Sequence, residues 1–75
     1  MSATDVLESR LRQAFPEAEQ VSVLDRTGGG DHFHVTVVSP RFSSLALIDQ
    51  HRLVNEALRV PLADGTIHEL RITTK

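Results

Sequence analysis

The sequence predicts a small α+β domain of two layers, with a three-stranded mixed sheet and its helices on one face. Three observations carry this. The stretch Thr27–Ser39 joins a triple glycine to the strongest alternation in the chain, with Phe33, Val35 and Val37 on one side and His32, His34, Thr36 and Val38 on the other. Segments before and after it carry apolar residues at helical spacing. The resulting order, α-β-β-α-β, places a helix between the second and third strands. Those two strands must then run parallel through a right-handed crossover, while the first two form an antiparallel hairpin.

The first helix is predicted over residues 3–15. Ser2 or Thr4 can cap it, and Ser2 with Asp5 has capping-box spacing. Val6, Leu7, Leu11, Ala14 and Phe15 make one apolar face, Glu8 and Arg12 pair four apart on the other side, and Pro16 ends the helix at Phe15. Residues 20–25 read as the first strand, with Val21 and Val23 inward. Residues 32–39 form the central strand, which Pro40 terminates. Arg41–Ser44 is a short helical turn or loop anchored by Phe42. A second helix follows over 46–59. Its inward stripe is Leu47, His51, Val54 and Leu58, with Ile48 and Ala57 alongside, and Gln50, Arg52, Asn55, Glu56 and Arg59 face water. Pro61 should stop or kink it near Arg59. Asp64-Gly65 is a turn dipeptide, and the last strand covers 67–73 with Leu70 and Ile72 inward. The expected core is Val21, Val23, Phe33, Val35, Val37, Val54, Leu58 and Leu70.

Composition bounds the function. Seventy-five residues allow a single domain, 1–75, with one small core. Cysteine is absent, which excludes a disulfide scaffold, a thiolate zinc site and a self-sufficient iron–sulfur site, and suits a reducing compartment. No apolar run approaches the ~20 residues of a membrane span. The amino terminus has neither a basic nor an apolar signal segment, so a cytoplasmic protein, monomeric on its own, is expected. A net charge of −2 with dispersed Lys and Arg argues against a dedicated nucleic-acid binder.

Gly28-Gly29-Gly30 is followed by Asp31, so there is no phosphate-binding Walker loop, and the glycines open a strand rather than a helix, so there is no dinucleotide fingerprint. No serine belongs to a readable triad, and an enzyme is not expected. The glycines make either a long mobile hairpin turn or a place where backbone must come close to something. His32 and His34 share one face of the central strand about 7 Å apart, a separation one metal ion can bridge, although no third ligand is pinned nearby. His51 lies on the apolar stripe of the second helix and is read as structural. His68 opens the last strand, at the same sheet edge as the glycine loop if the strands are parallel.

The set Val23-x-Asp25, Gly28-Gly29, His32-Phe33-x-Val35-x-Val37-Val38-Ser39, Phe42, His51-Arg52-Leu53-Val54-Asn55-x-Ala57-Leu58 and Ile67-His68-x-Leu70 resembles the BolA family, in the family's order. The short glycine-rich loop is similar to that of the short-loop bacterial, YrbA-type members. The resemblance implies the class II KH-like α-β-β-α-α-β fold. It also implies a non-enzymatic partner of monothiol glutaredoxins that shares a [2Fe–2S] cluster with glutaredoxin and glutathione, in iron–sulfur homeostasis sensing or cluster trafficking. On that basis His68 is the expected cluster ligand. The family's second ligand, a Cys or His in the loop, has no counterpart between Arg26 and Asp31, so His32 is the expected substitute, with His34 as fallback and Gly28, Gly29, Gly30 and Asp31 as binding residues. Imidazole ligation should raise the cluster potential relative to thiolates alone. The alternative is a KH-like nucleic-acid-binding regulator of transcription in stress response and morphology. It is weighed against by the want of a Gly-x-x-Gly clamp in the second half of the chain.

Overall fold

The computed structural model describes residues 2–75; Met1, the first residue of the single domain expected over 1–75, lies outside the described residues. The elements are α1 (Ala3–Ala14), β1 (Gln20–Asp25), β2 (His32–Val38), a 3₁₀ turn (Pro40–Ser44), α2 (Leu47–Ala57), α3 (Arg59–Ala63) and β3 (Glu69–Thr74). The sheet order is β1-β2-β3. Strand β2 pairs antiparallel with β1 and parallel with β3, as the crossover argument requires. Phe33, Val35 and Val37 of β2 are fully buried, and His32, His34, Thr36 and Val38 line the half-covered opposite face.

Helix α1 starts on a reciprocal capping box. The Asp5 amide donates to Ser2 Oγ (3.2 Å) and the Ser2 amide to Asp5 Oδ2 (3.4 Å), so Ser2 rather than Thr4 is the cap. Leu7 and Leu11 are buried on its inner face, and Phe15 closes it. Phe15 meets Phe42 of the 3₁₀ turn edge to face with centroids 5.4 Å apart. Arg41 stacks over the Phe15 ring at 5.2 Å and pairs with Glu17 at 2.6 Å. This clamp fixes the end of α1 to the segment leaving β2.

Several expectations are corrected. Leu47 and Ile48 are 63% and 68% exposed, and His51 is half-buried rather than buried. Leu47 shares the azimuth of Val54 and Leu58, which are fully buried, so its exposure comes from its place in the first turn of α2 and not from the face it occupies. Gln50, expected to face water, is half-buried. Its Nε2 donates to the carbonyls of Phe42 (3.0 Å) and Leu45 (2.9 Å), and its Oε1 accepts from Thr74 Oγ1, tying the turn, α2 and β3 together.

The second helix also ends earlier than expected, at Ala57. After one buried residue, Leu58, a separate helix α3 begins, and Pro61 sits in its first turn where a missing N–H costs nothing. Finally, β3 begins at Glu69, with Ile67 buried just ahead of it, and Val23, Leu70 and Ile72 are half-buried. The last three lie on the two edge strands, where inward side chains have neighbours on one side only. Among the described residues no helix is long and apolar enough to cross a membrane.

Phe33 is the central side chain of this core. Phe33→Ala should cost about 3–5 kcal/mol, a large share of the stability of so small a domain, read as a fall in the urea midpoint at unchanged slope.

Candidate functional site at the β2–β3 edge

The hairpin loop is folded around one carboxylate. Asp25 Oδ1 accepts from the amides of Thr27 (3.2 Å) and Gly28 (2.9 Å), Asp25 Oδ2 accepts from Gly30 (2.9 Å), and Thr27 Oγ1 accepts from Gly29 (3.2 Å). Wrapping four successive amides inward requires left-handed backbone at Gly28 (φ 77°) and Gly30 (φ 78°), a conformation that strains any residue with a Cβ. The triple glycine is therefore a built turn with its own hydrogen bonds. Asp25 was not expected as its organiser, although an aspartate at a strand end, two residues before Thr27-Gly28, is an Asx-turn signal.

The loop delivers the chain to the place where β2 and β3 start side by side. The Asp31 carbonyl accepts from the amides of His68 (2.8 Å) and Glu69 (3.3 Å), and the register then sets His32 opposite Glu69. Each strand opens with one acid and one histidine, Asp31-His32 and His68-Glu69, and the acids reach across. His68 Nδ1 lies 3.1 Å from Asp31 Oδ2, and His32 Nδ1 lies 3.2 Å from Glu69 Oε2. Asp31 Oδ2 is also 4.0 Å from His32 Nε2, and Glu69 Oε1 accepts from Arg26 Nη1 at 3.3 Å. The result is a row of two imidazoles and two carboxylates closed by one guanidinium. The His68 side chain is 64% exposed and that of His32 is 35% exposed. The turn that feeds His68 is tightened at Asp64, whose Oδ1 accepts from the hydroxyl (2.6 Å) and the amide (2.9 Å) of Thr66; these bonds hold its carboxyl below the usual carboxylate range.

So the structure brings together His68, His32 and Asp31, with the glycine loop leading into them. Glu69 and Arg26 join the group and were not expected in it. Their place comes from the register, which sets Glu69 opposite His32 and Asp31 beside His68. His34 stands apart from the group. Its Nε2 is hydrogen-bonded to Thr73 Oγ1 at 2.8 Å on the sheet face, so the fallback ligand is otherwise engaged. His51 belongs to α2. No three His, Asp or Glu side chains among the described residues are arranged to hold a metal ion.

An α-β-β-α-α-β chain with a mixed sheet and an antiparallel hairpin followed by a helical crossover defines a class II KH-like domain. The family model described as BolA-like protein matches residues 5–75, and the chain belongs to the BolA family. It is 40% identical over 77 residues to the DNA-binding transcriptional regulator BolA of Vibrio cholerae, covering 93% of this chain and 71% of that protein. It is 48% identical over 48 residues to a BolA-like protein of Dictyostelium discoideum, covering 64% of this chain and 42% of that longer protein. Among solved structures, BolA1 from Arabidopsis thaliana superposes with a TM-score of 0.89 at 28% identity, over 100% of this chain and 92% of that one.

Because the loop is built on Asp25, Asp25→Ala should accelerate hydrogen exchange at the Thr27, Gly28 and Gly30 amides while those of β2 stay protected. Gly28→Ala and Gly30→Ala should each destabilise the protein by about 1–2 kcal/mol from backbone strain alone, since no atom stands within 4 Å of the added Cβ. Unchanged exchange in Asp25→Ala would show that the loop holds its shape without the carboxylate.

Proposed function

We propose that this chain is the histidine-donating half of a [2Fe–2S] site completed by a monothiol glutaredoxin and glutathione, serving iron–sulfur sensing or cluster trafficking. One observation carries this reading: an exposed imidazole, His68, and a half-exposed one, His32, stand at one sheet edge against the same carboxylate, in a chain with no cysteine and with no complete metal site among its described residues. That donor set fits a shared cluster. Two imidazoles are borderline ligands suited to iron, and they leave the thiolate positions to a partner. Bound there, the cluster would supply one-electron redox chemistry and a lability that suits sensing or transfer. The chain's own part is to present His68 outward, to hold His32 behind it, and to keep the loop backbone folded beside them.

A second reading, nucleic-acid binding, draws on the name of the Vibrio cholerae relative. Two features count against it as the main activity. KH clamps use a Gly-x-x-Gly loop between two helices, whereas here α2 and α3 are joined through the single buried residue Leu58. Five of the eight basic side chains, those of Arg12, Arg26, Arg41, Arg52 and Arg59, are already paired with carboxylates.

The test is to mix the chain with a cluster-loaded monothiol glutaredoxin and follow visible absorption and circular dichroism. A new spectrum should appear on mixing. His68→Ala should abolish it with little loss of fold, because the ring is mostly exposed and the backbone bond to Asp31 persists; His51→Ala should leave it intact. Acidification should bleach it, since only neutral imidazole ligates. A His68→Ala chain with the wild-type spectrum would overturn the proposal. Salt-sensitive, nanomolar DNA binding without any cluster effect would favour the second reading.

A further inference from the structure

We infer that Asp31 is the positioning residue of His68: its carboxylate holds the imidazole as the Nδ1–H tautomer and thereby assigns ligation to Nε2. This rests on the reading of His68 as a ligand and specifies which nitrogen serves and what prepares it. An ionised carboxylate only accepts hydrogen bonds, so the ring nitrogen 3.1 Å from Asp31 Oδ2 must carry the proton. A neutral imidazole has one N–H, and the lone pair is then on Nε2. With the side chain 64% exposed, packing does little to fix the ring, and Asp31 is its hydrogen-bond partner among the described residues.

The side chain of Asp31 is itself placed by main-chain bonds that do not depend on its carboxylate. Its carbonyl holds the amides of His68 and Glu69, so strand pairing sets where the carboxylate can reach. The loop runs alongside it, since a Cβ at residue 29 would stand 3.4 Å from Asp31 Oδ1 and 3.3 Å from Thr27 Oγ1. Glu69 repeats the arrangement on His32, again through Nδ1 and again from the neighbouring strand. A carboxylate on the far nitrogen is the usual device for orienting a ligating histidine and raising its basicity, and its loss typically costs 10–100-fold in affinity.

The tautomer can be read on the chain alone. In ¹⁵N-labelled protein at a pH where the ring is neutral, long-range ¹H–¹⁵N spectra should show His68 protonated at Nδ1. Asp31→Ala should shift it towards the Nε2–H form that unconstrained imidazole prefers. Asp31→Asn, which keeps an oxygen acceptor, should restore Nδ1–H. With cluster-loaded monothiol glutaredoxin, Asp31→Ala should weaken retention of the mixed-complex spectrum by about 10–100-fold, while thermal unfolding stays close to wild type because the Asp31 carbonyl is untouched. A wild-type ring protonated at Nε2, a tautomer indifferent to Asp31→Ala, or a changed tautomer with full cluster retention would each overturn the inference. If wild-type protein forms no mixed cluster, the proposed function falls, and the tautomer measurement still decides whether Asp31 sets the ring.

Discussion

Parallel pairing of β2 with β3 is the constraint on which the rest of this molecule depends. Parallel strands cannot be joined by a tight turn, so the chain must leave β2, cross the sheet as helix and return to the edge from which β2 began. That return path is α2, Leu58 and α3, along which Val54, Leu58 and Pro61 are buried. The same constraint brings two distant dipeptides, Asp31-His32 and His68-Glu69, into adjacent register. An antiparallel last strand would put the start of β3 at the far end of β2 and separate the two histidines by the length of the strand. The site is a consequence of topology before it is a consequence of side-chain chemistry.

Much of the fold was legible in the sequence because its determinants are local. The Ser2–Asp5 box, the Pro16 stop, the β2 alternation and the helical crossover each follow from a few neighbouring residues. What the sequence did not disclose depends on where elements sit along one another. Leu47 has the right azimuth to be core and is exposed, because azimuth says nothing of what stands beside a given turn of the helix. Gln50 looks like a surface residue and is a tether, because its acceptors, Phe42 and Leu45, become available only when the 3₁₀ turn folds back. Val23 and Leu70 alternate correctly yet are half-buried, because an edge strand covers its inward residues from one side.

The site divides in the same way. His68 and His32 were expected from residue type, strand position and family resemblance, and the structure places them side by side. Asp31 was expected only as a binding residue beside the glycines, and Glu69 was not expected in the site at all. Both acquire a role from register, where each acid faces the histidine of the other strand. Asp25 has its effect through the loop amides, and nothing in the identity of a strand-end aspartate reveals how many amides will converge on it.

The loop's hydrogen bonds also bear on how a partner could use this edge. Glycine-rich loops that bind anions leave their amides unpaired and pointing outward. Here the amides of Thr27, Gly28 and Gly30 are taken by Asp25, and that of Gly29 by Thr27. A phosphate or a nucleic-acid backbone approaching the loop would therefore find few free donors and two carboxylates, Asp31 and Glu69, close at hand. What the edge does offer is imidazole nitrogen held outward on a turn that is already folded. The partner proposed for this edge would bring its own thiolates and metal to those nitrogens, whereas a partner bringing only negative charge would meet the two carboxylates.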